Sequence, residues 1–144
     1  DAMGAAEHPH THLGIDDTGH SALLQTAGNP DTHLVLRGGH QGPNYDADSI
    51  RTAVDALQAK GRNPRLIVDC SHANSGKDPL KQPEVLHDLL EQRRKGEKHI
   101  AGVMLESHLQ DGKQPLQKPL QYGVSITDGC LGWDSTEQLL CSID

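Results

Sequence analysis

Four side chains in this sequence have the types and placement to do chemistry together. Arg37 follows the apolar run of "HLVLRGG", His72 follows that of "RLIVDCSH", Glu106 follows that of "IAGVMLES", and Asp128 lies in the next loop, "SITDGCLGW". A neutral imidazole and two carboxylates form a hard-to-borderline ligand set suited to a divalent metal: Mn²⁺, Fe²⁺, Co²⁺ or Zn²⁺. The three are spread over separate segments, so they lack the short spacing of a zinc finger. Arg37 precedes Gly38 and Gly39, and a guanidinium beside backbone that can approach a ligand closely suits a phosphate or carboxylate. Each residue also has a plainer reading. His72 can simply bond a neighbouring loop, and Glu106 and Asp128 can be solvated loop acids or helix caps.

Two neighbours of His72 bear on the same question. In a strand Cys70 shares a face with His72 and could add a thiolate to the same ion; as a small buried thiol it would only fill the wall of the fold. Asp69 alternates to the opposite face, where it can anchor a loop or orient a catalytic group. The other histidines are too scattered to define a second site.

Positioning such groups requires elements that bring distant segments to one rim. Four apolar runs have strand length: "HLGID" from His12, "HLVLRGG" from His33, "RLIVDCSH" from Arg65 and "IAGVMLES" from Ile100. Their near-continuous apolarity suits parallel strands covered on both faces. "DADSIRTAVDALQAKG" is expected to be a helix with Ile50, Val54 and Leu57 on one face and Gly61 just past its end. "QPEVLHDLLEQRRKG" is another, with Pro83 in its first turn, a stripe of Val85, Leu86, Leu89 and Leu90, and Arg93, Arg94 and Lys95 at the negative end of the dipole. "DSTEQLL" offers a capping-box start at Asp134 with Glu137. The segment "TGHSALLQTAGNPD" reads as a short helix or an irregular run.

This rhythm is α/β, with units of roughly thirty residues, as in a (β/α)8 barrel, yet a closed barrel needs about 250 residues. The 144 residues accommodate four units. Half a barrel would leave two strand edges unpaired, so either the other half lies elsewhere, two copies pair, or the sheet is a smaller open one. In parallel α/β folds the carboxyl ends of the strands carry the chemistry, which would gather Arg37, His72, Glu106 and Asp128 on one rim.

Composition narrows the function classes. With two Tyr, one Trp and no Phe, stacking on nucleobases is unfavoured, and a net charge of −7 opposes polyphosphate or membrane-surface partners. Three cysteines without CxxC spacing argue against a disulfide framework and for a reducing compartment. No apolar stretch approaches the roughly 18 residues of a membrane span, and no signal pattern is visible, so a cytoplasmic protein is expected.

The motifs "LRGG…GPNYD", "DCSHANSGK", "GVMLESHLQDGKQPL" and "YGVSITDGCLGW", in this order and at these separations, closely resemble type I 3-deoxy-D-arabino-heptulosonate-7-phosphate (DAHP) synthase from about Asp1 to Leu140. The resemblance implies a TIM (β/α)8 barrel, of which residues 1–144 would be the C-terminal half, an apparent fragment supplying about the last four βα units. It implies metal-dependent condensation of phosphoenolpyruvate with erythrose 4-phosphate and water, giving DAHP and phosphate, the first step of aromatic amino acid biosynthesis. By motif, His72, Glu106 and Asp128 resemble the metal ligands and Arg37 the residue that grips phosphoenolpyruvate, with Arg37 and His72 as the catalytic pair. The family's remaining ligand is a cysteine upstream, near a lysine-proline-arginine-threonine motif; neither is among these residues, and Cys70 aligns with a variable position.

The expected partners are therefore the two phosphorylated substrates, with a homo-oligomer or a complementary N-terminal half, and no nucleic acid or membrane. The residues alone are expected to be inactive or nearly so. Two alternatives stand beside this reading: a non-catalytic half-barrel that acts as a binding or assembly module, and another metal-dependent aldol-type lyase acting on a phosphosugar.

Overall fold

The computed structural model describes residues 2–143, so Asp1 and Asp144 lie outside the described residues. Two compact units form, Asp1–Leu34 and Val35–Asp144.

In the first unit a short helix, α1 (Ala2–Glu7), precedes two strands, β1 (Thr11–Ile15) and β2 (Ser21–Gln25). They pair antiparallel, from Thr11 opposite Gln25 to Ile15 opposite Ser21. The turn explains the pairing. The Asp16 carboxylate accepts hydrogen bonds from the Thr18 amide (3.0 Å), the Thr18 hydroxyl (2.7 Å) and the His20 amide (2.9 Å). Gly19, at φ +85°, supplies the left-handed residue that reverses the chain. Two expectations are corrected here. "HLGID" is not a parallel strand of a βα unit, and the segment after it is neither helix nor irregular: its "SALLQ" returns as β2. Nor is this apolar run covered on both faces, since Leu13, Ile15 and Leu23, on one face of the hairpin, are 83%, 70% and 65% exposed.

The second unit is built on a three-stranded sheet in the order β3 (Leu34–Leu36), β4 (Leu66–Asp69), β5 (Ile100–Met104). β4 and β5 run parallel, with Leu66 opposite Ile100 and Asp69 opposite Met104. Leu66, Val68 and Ile100 are buried, as their β-branched and aliphatic side chains demand of a strand covered by helices.

Helix α2 (Ala47–Gln58) connects β3 to β4, and its start is fixed by Asp46, whose carboxylate accepts from the amides of Asp48 and Ser49. Ile50, Val54 and Leu57 form its buried face, as their spacing predicts. Helix α3 (Gln82–Arg94), entered through a 3-10 turn at Pro79–Lys81, connects β4 to β5. Val85, Leu86 and Leu89 are buried on it, but the stripe also includes Gln82, while Leu90 is only half-buried. Burying each such Leu, Ile or Val contributes about 1.5–3 kcal/mol relative to leaving it exposed.

The last helix, α4 (Trp133–Cys141), begins two residues earlier than the capping-box pattern places it. Its N-cap is Gly132, with no side-chain cap; the Gly132 amide instead donates to the Asp111 carboxylate at 2.6 Å. The capping-box expectation at Asp134 is thus corrected: a carboxylate 21 residues upstream holds the backbone that enters this helix. Among the described residues no helix is long and apolar enough to cross a membrane.

Candidate metal centre

His72 follows β4 by three residues and Glu106 follows β5 by two, so both stand beyond the carboxyl end of the parallel pair. Asp128 arrives by a different route. The segment after Glu106 folds back through paired backbone, Ser107 bridging Leu131 and Gly112 bridging Cys130, and the Leu131 amide donates to the Glu106 carbonyl at 3.0 Å. The loop that carries Asp128 is therefore tied to the residue that carries the other carboxylate.

The result is a cluster. Nε2 of His72 stands 3.8 Å from Oε1 of Glu106 and 3.7 Å from Oδ2 of Asp128, and one ligand atom from each of the three lies within 4.8 Å of the others. These separations are too long for hydrogen bonds. They are roughly twice a metal–ligand bond of about 2.0–2.2 Å, so a cation fits between the three atoms. Beside His72 and Asp128 a small cavity of about 20 Å³, also lined by Ser71, Lys77, Lys113 and Gly129, has room for one water-sized sphere.

The imidazole is held from its other side. Asp69, 3% exposed, is the last residue of β4, and its Oδ2 lies 2.7 Å from Nδ1 of His72 while its Oδ1 accepts from the Ser71 amide at 2.8 Å. A carboxylate on Nδ1 keeps the proton there and leaves the Nε2 lone pair facing the two acids. His72 itself has φ +51°, a left-handed conformation uncommon outside glycine. It is secured by a tight turn in which the Lys77 amide donates to the His72 carbonyl at 2.6 Å.

This geometry decides between the two readings of Cys70 in favour of the buried thiol. The strand ends at Asp69 and the chain turns at His72, so strict alternation does not carry from Cys70 to His72. Cys70 is buried, and burial, reinforced by the neighbouring Asp69 charge, pushes its thiol up to about 12. It is a protonated core side chain and no part of the cluster. Asp69, expected on the other face, is the residue that reaches the imidazole.

Arg37 follows β3 directly and is exposed; among the described residues its guanidinium makes no hydrogen bond or ion pair. Its backbone is coupled to the His72 loop, since the Arg37 carbonyl accepts from the Ala73 amide at 3.2 Å. Buried Asn74 reinforces the link. Its amide donates to the carbonyls of Leu36 (3.2 Å) and Asp69 (2.7 Å) and accepts from the Asn44 amide (2.8 Å), while Asn44 accepts from the Gly38 amide (2.7 Å). At Gly38, φ +74°, a Cβ would sit 2.6 Å from that of Ala73, so only glycine permits this approach.

A larger cleft of about 560 Å³ adjoins the cluster, sharing Lys77 with the small cavity. It is lined by Tyr45, Ala73 and Lys81 among others, and by none of the three clustered residues. The larger cleft and the candidate cluster are therefore separate features that meet at Lys77. Three residues that the motifs did not single out stand close to it: Lys77 and Lys113, which bring positive charge beside Asp128, and Gln82, which bonds the Glu106 backbone. Gln82 was detectable, because the stripe of Val85, Leu86 and Leu89 extends back to position 82, and a polar side chain on a buried face must have partners.

Comparison with known proteins supplies the family. Residues 1–141 match the model of the DAHP synthetase I family. A phospho-2-dehydro-3-deoxyheptonate aldolase of Haemophilus influenzae is 49% identical over 97% of this chain and 39% of its own length, and a tyrosine-inhibited one of Schizosaccharomyces pombe is 45% identical over 97% and 39%. The Phe-sensitive enzyme of Escherichia coli is 46% identical over 97% and 40%. Among solved structures, the phospho-2-dehydro-3-deoxyheptonate aldolase of Francisella tularensis superposes with a TM-score of 0.88 at 40% identity, covering 96% of this chain and 41% of that one. The chain thus spans about two-fifths of the length of the relatives it matches. It is an α/β chain that belongs to the DAHP synthetase I family.

Proposed function

We propose that the protein carrying this chain condenses phosphoenolpyruvate with erythrose 4-phosphate and water, yielding DAHP and phosphate. The observation that carries the proposal is the meeting of His72, Glu106 and Asp128 at the edge of the β4–β5 pair, in a chain of the DAHP synthetase I family whose relatives bear the aldolase name. In this reading the three side chains hold a divalent cation, Mn²⁺, Fe²⁺, Co²⁺ or Zn²⁺, and Arg37 holds the phosphoenolpyruvate anion through its fork of donors. The cation supplies Lewis acidity toward the aldehyde oxygen of erythrose 4-phosphate. Asp69 fixes the imidazole so that Nε2 remains a ligand, and the Asn74 network keeps the Arg37 backbone in register with that loop, bringing the enol carbon toward the aldehyde. A new carbon–carbon bond forms there, water adds to the other enol carbon, and phosphate departs.

The three-stranded sheet is, on the same reading, the later part of a (β/α)8 barrel in a cytoplasmic enzyme. Its edge strands β3 and β5 would be covered by segments that the 144 residues do not supply, together with the family's remaining ligand. The chain by itself is then inactive. The test is consumption of phosphoenolpyruvate in the presence of erythrose 4-phosphate and Mn²⁺. Turnover by the intact protein and none by residues 1–144 is expected. Robust turnover by residues 1–144 refutes the inactivity, whereas an intact protein that consumes only other phosphosugars refutes the substrate assignment.

A further inference from the structure

We propose that Gln82 is a positioning residue for Glu106, its side-chain amide fixing where that carboxylate enters the cluster; this rests on the reading of His72, Glu106 and Asp128 as metal ligands. Gln82 is the first residue of α3 and is 0% exposed. Its Oε1 accepts from the Glu106 amide at 2.8 Å, and its Nε2 donates to the Glu106 carbonyl at 3.0 Å. One side chain therefore satisfies both backbone groups of a single residue 24 positions away.

The need for this arises from where β5 stops. The last β4–β5 pair is Asp69 with Met104, so by Glu106 the ladder no longer holds the chain. The Leu131 amide supports the Glu106 carbonyl but does nothing for its N–H. A primary amide presents a donor and an acceptor side by side, as a neighbouring strand would, and Gln82 stands in for that strand at the ligand itself.

An amide at this position is costly unless it is used. The rest of the buried stripe, Val85, Leu86 and Leu89, is aliphatic, and an amide buried there without partners would lose its hydrogen bonds to water with nothing in exchange. Leucine would serve packing better. The side chain that is present instead holds the backbone of a ligand, and outer partners of that kind typically account for 10–100-fold in metal affinity.

The experiment is calorimetric titration of Mn²⁺ alone into the metal-free intact protein, with unfolding of each metal-free variant measured in parallel. Gln82→Met keeps the volume and removes both hydrogen bonds; Gln82→Asn keeps the amide but is a methylene too short to bridge both groups. The control is Leu86→Ala on the same buried face, 1% exposed and with no part in the hydrogen bonds to Glu106. Both Gln82 variants are expected to bind Mn²⁺ about 10–100-fold more weakly, and Leu86→Ala to unfold earlier with unchanged affinity. Wild-type affinity in either Gln82 variant that folds overturns the proposal, as does an equal loss in Leu86→Ala. Absence of Mn²⁺ binding by the wild type, or unchanged affinity in His72→Ala, overturns the metal reading and this inference with it.

Discussion

Asp16 and Asp69 do the same local chemistry in two regions of the molecule and reach different ends. Each closes an apolar strand, each accepts a hydrogen bond from the amide two residues on, Thr18 for Asp16 and Ser71 for Asp69, and each has a histidine nearby. In the hairpin, Asp16 is only half-buried and spends its carboxylate on the turn, bonding Thr18 and the His20 amide so that β1 reverses into β2. In the sheet, Asp69 is buried, and its second oxygen is free to take the His72 imidazole. An Asp-x-Thr or Asp-x-Ser turn is thus a generic device. Burial, and what else shares the edge, decides whether it ends as a hairpin or as the support of a candidate ligand.

The comparison breaks if the two aspartates prove interchangeable in effect. Asp69→Ala should cost about 1–3 kcal/mol of stability, by leaving buried donors unpaired, and about 10–100-fold in Mn²⁺ affinity. Asp16→Ala should leave that affinity unchanged. Denaturant unfolding and calorimetry read both. A second contrast is between glycines. Gly19 and Gly38 both have positive φ, but a Cβ on Gly19 meets nothing within 4 Å, whereas on Gly38 it collides with Ala73. Gly38→Ala should therefore cost more than the roughly 1–2 kcal/mol of the left-handed backbone alone and raise the KM for phosphoenolpyruvate, while Gly19→Ala should show only the backbone cost.

A third contrast concerns Asp46, which caps α2 without serving the cluster. Asp46→Ala should cost about 1 kcal/mol with no change in Mn²⁺ affinity. The smallest effect is in pH dependence. The carboxyls of Asp46 and Asp16 lie below the ordinary aspartate range, chiefly because Ser49 and Thr18 donate side-chain hydrogen bonds to them. Their contribution is complete above the ordinary value and is lost as pH falls through the lowered one. Acid unfolding curves should accordingly flatten in Asp46→Asn, which keeps a capping oxygen that does not titrate.

How much of this was legible in the sequence follows from the range of each interaction. The faces of α2 and α3 were readable because helical periodicity is local: Ile50, Val54 and Leu57 are buried as spaced. β4 and β5 were readable because their aliphatic runs have strand length and β-branched content, and β4 is buried along most of that length. The hairpin was missed because "HLGID" has the same apolarity as β4, and only the Asp16–Gly19 turn behind it reveals that it folds back on itself. The start of α4 was misplaced because its support comes from Asp111, a tertiary contact that no window around residue 134 contains. In the candidate site, strand-end logic and the family motifs brought out His72, Glu106 and Asp128. The support of Asp69 was only half visible, since alternation fails where His72 turns left-handed, and that of Gln82 required knowing which strand end its helix begins beside.

The central claim is that His72, Glu106 and Asp128 share a single divalent cation. Electron paramagnetic resonance and calorimetry of Mn²⁺ added to the metal-free intact protein, compared with His72→Ala, test it most directly. A single bound ion in the wild type, lost in His72→Ala, is predicted; an unchanged spectrum and affinity after that substitution would contradict the account.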